Sequence, residues 1–455
     1  MNSTKLTSQE LRSGFSLAAV YVFRMLGLFM VIPVIAVAAV EYPDYSPLWV
    51  GLAIGGYGLT QAILQIPMGI LSDRWGRKPV IFIGLTFFAI GSLIAGLAEN
   101  MTMLTLGRIL QGAGAIAGAV MALAADVTRE SQRTKIMAII GVSIGFSFYI
   151  ALLVGPIIAS GFGLSGIFFL TAALALLCFP LVKFGVPNAQ NNHASGDSLP
   201  RANLLKPLLK NKYLWRLNFL VLVLHLLITS FFVQVPVILE ATGIELADHY
   251  QVYGIILVVS VILLVGFIRM SDKFPVGNMF NLAILFMAVG FVLLTQVPSY
   301  YLVLAAGISF FVGFNFLEAK MPAMVSSIAP AGQKGSAMGI YASYQFFGAF
   351  LGGILSGLVN TYYEPKVSLI ACLVLIFAAS LVSRGLAKVE KVKRITLAQV
   401  GEYNEYNIQQ QLDILMALDG VKDITTDTDA NVFYLKVDAK QFDVKAAKSA
   451  IEHLG

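Results

Sequence analysis

Five ionisable side chains stand inside long apolar runs: Arg24, Arg108, His225, Glu318 and Lys320. A charge surrounded by hydrocarbon is costly, so such residues persist where they meet a partner, line a polar cavity or move an ion. The carboxyl of Glu318 and the imidazole of His225 are the groups suited to carrying a proton. Arg24 and Arg108 have an equally good structural reading, as donors to backbone carbonyls, and His225 could simply be satisfied within a helix bundle. Glu318 and Lys320 are two residues apart, so on one helix they cannot face each other. Each needs another partner, and Pro322 frees backbone acceptors nearby.

Lipid must be the solvent for the elements that hold these groups. Of 455 residues, 58% are hydrophobic and 12% charged, about half the charge of an ordinary soluble domain. Twelve runs reach the roughly 20 residues a membrane crossing needs: 14–40, 48–71, 79–98, 102–124, 135–160, 163–184, 213–239, 250–270, 277–297, 299–327, 334–360 and 366–386. The first is too long for a cleaved signal peptide. The ionisable residues fall in runs one, four, seven and ten, every third one. That period favours repeated three-helix units, whose equivalent members would line one shared cavity. Gln61, Gln65, Gln234, Asn315, Tyr344 and Gln345, in the middles of lining or flanking runs, join Arg24 and Lys320 as candidate substrate contacts.

The polar connector 185–212 divides the runs six and six, and its basic end suits a short surface helix. The expected units are therefore bundles at 1–184 and 213–386, an all-α membrane fold, plus a soluble tail at 394–455. Even-numbered connections carry the Lys and Arg residues, which places both termini in the cytoplasm. The tail alternates "RITLAQV", "NEYNIQQQLDILMAL", "VKDITT", "NVFYLKV" and "DVKAAKSAIEHL". Strand, helix, strand, strand, helix suggests a small α+β ferredoxin-like domain. Its net charge of −4 against +10 for the rest would favour docking on a basic cytoplasmic face. An ion, a nucleotide or a protein are the other partners open to it. Cys178 and Cys372 lie in separate apolar runs, and neither a metal nor a disulfide framework is indicated. No P-loop, zinc-binding helix or nucleophile elbow stands in a usable setting, so an enzyme and a cofactor are not expected.

Between runs two and three the chain reads "GILSDRWGRKPVI", with Gly69, Asp73, Arg74, Gly76, Arg77 and Lys78. A positive-inside loop explains its basic residues but not its acid or glycines. The stretch resembles the signature of the major facilitator superfamily at this turn, and "IRMSDKF", with Asp272 and Lys273, resembles a degenerate copy in the second half. "GRILQGAGAIAGA" is similar to the family's fourth-helix pattern. "GVSIGFSFYIALLVGPIIASGFG" is similar to the fifth-helix pattern of its antiporters, with Gly145, Gly155 and Pro156 but Ala151 and Ser160 where glycines are usual.

The resemblance covers 14–386 and is nearest to twelve-span drug:proton antiporters. It implies that Asp73 faces the start of run eleven, that Arg77 pairs with Asp126, and that these contacts gate the cytoplasmic side by holding only while that side is shut. It links Arg108 to proton coupling, with Glu318 and His225 as further candidates, and gives Gly145, Gly155 and Pro156 to packing and bending at the periplasmic side. The expected protein is a bacterial inner-membrane exporter of small amphipathic molecules, driven by protons through alternating access. A symporter or facilitator is the alternative within the class, and a membrane sensor acting through its tail is the alternative outside it. The substrate is not legible, and no nucleic-acid partner is expected. The tail itself resembles metal-carrier ferredoxin-like folds, but its first strand–helix loop, "GEYNEYN", has no Cys-x-x-Cys.

Overall fold

The computed structural model describes residues 6–187, 202–271, 273–330, 333–386, 392–401, 405–427, 431–438 and 441–452. The membrane part runs α1 (Ser8–Phe29), α2 (Ile35–Ala38), α3 (Pro47–Trp75), α4 (Arg77–Gly96), α5 (Met101–Ala113), α6 (Ala117–Asp126), α7 (Glu130–Gly185), α8 (Ala202–Lys210), α9 (Lys212–Ala241), α10 (His249–Ser271), α11 (Val276–Leu294), α12 (Tyr300–Ile328), α13 (Lys334–Tyr362) and α14 (Pro365–Ser383). Among the described residues, eleven helices are long and apolar enough to cross a membrane. In hydrocarbon a helix satisfies its own backbone, which is why the apolar runs became helices almost without exception.

Two expected runs are interrupted, and two are joined. The first stops being helical at Met30 and resumes at Ile35; Pro33 in this bend has no N–H to continue the ladder. The fourth breaks between α5 and α6, where a side chain on Gly114 would fall 2.5 Å from the Gly84 carbonyl oxygen. Runs five and six form the single assignment α7, with one non-helical residue, Gly163, at φ 63° and ψ −171°. Gly14 of α1 abuts Ile136 and Ser16 abuts Gly185, so the first turns of α1 touch both ends of α7. Its two arms are therefore antiparallel, reversed at Gly163. The helix breaks at the positive φ of Gly163, seven residues after Pro156.

Caps fix several starts. Thr7 and Glu10 form a reciprocal capping box on α1, and Glu10 also receives Arg129 through its backbone N–H, Nε and Nη2 at 2.8–3.1 Å. That carboxylate joins the starts of α1 and α7. Ser46 caps α3, with Pro47 at its first position.

Apolar packing divides into cores. Two clusters gather residues from α1 to the end of α7, and one of them also takes in Val233 of α9. A third gathers α8 to α14, and reaches across to Leu152. The halves meet most closely where α3 lies antiparallel on α13. A Cβ on Gly51 would stand 2.2 Å from the Gly353 oxygen, and one on Gly58 would stand 2.7 Å from the Phe346 oxygen. The closest backbone approach lies toward the Pro47 end of α3, away from the α3–α4 elbow.

The tail forms a three-stranded antiparallel sheet ordered β1 (Val392–Ala398), β3 (Val432–Asp438), β2 (Val421–Asp427). Helices α15 (Glu405–Met416) and α16 (Val444–Glu452) follow β1 and β3. Register runs from Val392 opposite Asp438 to Ala398 opposite Val432, with an irregularity near Val421 on the other side. Phe433, Leu435 and Val437 share one face of β3 and are buried with Leu415, Ala447 and Ile451. Lys436 points to the opposite face, where its Nζ donates to the Ile328 carbonyl at 2.7 Å. The sheet thereby touches the last turn of α12.

Candidate functional site

The elbow is built by Gly76, whose φ of 93° and ψ of 157° end α3 and begin α4. A side chain there would be strained. The reversal brings Arg77 back over the last turn of α3. Its Nη1 donates to Asp73 Oδ1 at 2.7 Å and to the Ser72 hydroxyl at 3.1 Å, while Nε donates to Asp126 Oδ2 at 2.9 Å. Ser72 in turn donates to the Gly69 carbonyl. The Arg77 and Asp126 side chains are each 5% exposed, against 36% for Asp73.

The expected Arg77–Asp126 pair is thus present. Asp73, expected at the start of α13, bonds to Arg77 on the adjoining turn. All three residues belong to the first half, so these bonds hold the elbow to its own bundle and do not depend on the two halves meeting at that end. Lys78 leaves the group altogether, donating to the Val186 carbonyl at 2.6 Å. Arg74 is exposed. Asp272, in the degenerate copy of the elbow, lies outside the described residues.

Deeper in the first half, Arg24 donates to Gln61 Oε1 at 2.8 Å and approaches the Tyr57 hydroxyl at 3.4 Å. Gln61 passes the chain on to Gln65. Arg108 donates to the Ala53 carbonyl and to Gln111 Oε1, and Gln111 donates to the Ser92 hydroxyl. Its guanidinium sits 4.9 Å from the centre of the Tyr57 ring. Arg24 and Arg108 are 2% and 1% exposed. Both answer to neutral acceptors. Gln61 and Gln65, expected to touch substrate, are buried as partners of Arg24.

In the second half, α9, α12 and α13 bring His225, Glu318 and Gln345 together. The Gln345 amide nitrogen lies 2.7 Å from His225 Nε2 and donates to Glu318 Oε1 at 3.2 Å. His225 Nδ1 lies 3.2 Å from the Val221 carbonyl. A carbonyl only accepts, so Nδ1 carries the hydrogen and Nε2 offers its lone pair to Gln345. Glu318 Oε2 is 3.8 Å from the same Nε2 and has no hydrogen bond of its own. Asn315, one turn before Glu318 on α12, is half-buried, and its amide nitrogen has no hydrogen-bond partner.

The remaining candidates separate. Gln234 is buried and donates to Asn360 and Ser368, which joins α9 to α13 and α14. Lys320 is half-buried, and Tyr344 packs against the core that gathers α8 to α14. Gly155 is a true close approach, its virtual Cβ 2.5 Å from the Met30 oxygen, and Pro156 beside it is buried. Gly145 is not: nothing lies within 4 Å of a Cβ placed there. The lack of a side chain makes close contact possible without making it happen.

Sequence reasoning passed over Tyr57. It contacts both buried arginines, and its ring meets Phe346 of α13 with centroids 6.5 Å apart. Phe346 follows Gln345 in the chain, so Tyr57 lies between the basic cluster of one half and the titratable cluster of the other. An aromatic residue in an apolar run carries no local mark of such a role.

A model of the Major Facilitator Superfamily matches residues 17–317 and 268–402. The chain is 36% identical over 455 residues to the inner membrane transport protein YajR of Escherichia coli, covering 98% of this chain and 99% of that one. It is 27% identical over 351 residues to multidrug resistance protein 2 of Bacillus subtilis, covering 74% and 87%. Among solved structures, a bacterial homologue of the human lysosomal transporter Spinster, described as inward-facing and occupied, superposes with a TM-score of 0.65 at 13% identity, covering 84% and 97%. Two helical halves, the glycine elbow with its buried ion pairs and these matches together show that the chain is a membrane-spanning transporter belonging to the Major Facilitator Superfamily.

Proposed function

We propose that the protein is a proton-coupled exporter of small amphipathic molecules in a bacterial inner membrane, working by alternating access. The observation that carries the reading is the His225–Gln345–Glu318 cluster. It joins an imidazole and a carboxylate through one amide, on helices of the half opposite the buried arginines. A proton reaching Glu318 removes its charge and weakens its hold on Gln345. A proton reaching His225 Nε2 removes the lone pair that Gln345 now faces, so the amide must turn and present its oxygen. Either event rearranges three helices at once, which is what coupling a proton to a bundle movement needs. The multidrug-resistance relatives support export.

Within this reading the two arms of α7 are separate crossings, giving twelve in two groups of six. Its apolar part of 51 residues would be about 77 Å long if straight, against about 30 Å of hydrocarbon. The basic elbow faces the cytoplasm, as do both termini. The tail is a ferredoxin-like unit, a role supported by its β1-β3-β2 order with a helix after β1 and after β3.

The test is a substrate screen in proteoliposomes under an imposed pH gradient, comparing the wild type with Glu318→Gln. The expected result is gradient-driven export by the wild type and flux no greater than in protein-free vesicles for the variant, which still binds substrate. Unchanged flux in the variant removes Glu318 from the coupling. Movement of substrate in the same direction as protons establishes symport instead. Absence of flux for the wild type, with function in cells dependent on 394–455, favours a sensor.

A further inference from the structure

At the elbow end, a pocket of about 630 Å³ opens between the first turn of α1, the start of α4 and the end of α7. Arg12, Lys78 and Lys183 line it, and among the described residues no carboxylate does. Glu10, the nearest acid along α1, is taken by Arg129. Two of the cations are held in place by carbonyls at the end of α7 and just beyond it. Arg12 Nη2 donates to the Phe184 oxygen at 2.8 Å, and Lys78 Nζ donates to the Val186 oxygen at 2.6 Å. A guanidinium has five N–H donors and an ammonium three, so most remain for another acceptor. Lys183 lies 5.4 Å from the centre of the Phe184 ring. Ser8 adds a hydroxyl, and the first turn of α1 adds the positive end of a 22-residue helix.

The surroundings decide which anion fits. The three helices are membrane crossings, and their ends place the pocket at the boundary between hydrocarbon and water. Phe15, one turn beyond Arg12 on α1, is 61% exposed, and Phe184 is 66% exposed. A free anion has no use for this apolar border, whereas a phosphate joined to acyl chains meets both. We propose that the pocket binds the phosphate of an anionic membrane lipid, with Arg12, Lys78 and Lys183 as donors and Phe15 and Phe184 beside its chains. Basic pockets between crossing helices suit such headgroups. A lipid seated there would tie α1, α4 and α7 together one residue away from Arg77.

The experiment uses the full chain, delipidated in neutral detergent, with bound lipid counted by native mass spectrometry as phosphatidylglycerol or phosphatidylcholine is added. Phosphatidylglycerol should bind at a discrete site and phosphatidylcholine should not. Arg12 and Lys183 are exposed, so Arg12→Gln with Lys183→Gln should keep the wild-type gel-filtration profile and lose about 30-fold in affinity for phosphatidylglycerol. Should that pair fail to fold, Lys183→Gln alone is expected to lose about fivefold. Equal binding of both lipids, or undiminished phosphatidylglycerol binding by a folded variant, overturns the proposal. Displacement of phosphatidylglycerol by millimolar inorganic phosphate assigns the pocket to a soluble anion and also overturns it.

Discussion

Gly51→Val is expected to lower transport of the substrate identified in proteoliposomes by about tenfold or more, in a protein that still folds. The new Cβ would stand 2.2 Å from the Gly353 carbonyl oxygen and 3.1 Å from the Gly357 Cα. These are backbone atoms, so no rotamer relieves the overlap and α3 must move off α13. Overpacking of this kind costs about 1–3 kcal/mol. A cycle in which that contact forms and breaks has its joined state depopulated by about 30-fold for every 2 kcal/mol. Gly145→Val is the control. Its Cβ meets nothing within 4 Å, so flux should stay within about twofold of the wild type. Wild-type flux in Gly51→Val, with an unchanged melting profile, would show that the α3–α13 contact is no part of the cycle.

Asp126→Ala should produce the largest loss of stability at the elbow. It leaves Arg77, 6% exposed, with only Asp73 and Ser72 as partners. Removing one member of a buried ion pair costs about 3–5 kcal/mol, because the other charge stays desolvated. The melting temperature in detergent should fall accordingly. Replacing both members, Arg77→Met with Asp126→Leu, should recover more than half of that loss, since the one charge left without its partner, Asp73, is 36% exposed and can be hydrated. If the double variant melts no higher than Asp126→Ala, the loss does not come from an uncompensated arginine.

The elbow was legible because its chemistry is local. Asp73, Gly76 and Arg77 lie within five residues, and a turn between two apolar runs has few ways to place an acid, a glycine and a cation. Asp126 was reachable because it ends the run that must return to the same surface. Pairings between distant helices were less accessible. Runs of Leu, Val, Ile and Phe specify a helix in lipid without specifying which face meets which neighbour. Nothing local announced that Gln61 bonds Arg24 and passes a bond on to Gln65, or that Gln234 joins Asn360 and Ser368. Glycines show the same limit. Gly145 and Gly155 lie in one motif, yet only Gly155 lies against a neighbouring backbone. His225 and Glu318 were picked out as titratable residues in apolar runs, but the amide that joins them comes from a third helix, 27 residues from Glu318.

The reversal at Gly163 bears on how the protein is made. A single residue with positive φ turns α7 back on itself, and a Cβ there would touch nothing within 4 Å, so the need for glycine comes from the backbone alone. The flanking Phe162 and Leu164 are apolar, and no hydrophilic spacer separates the two arms. During biosynthesis the two arms are expected to enter the bilayer together, as one helical hairpin.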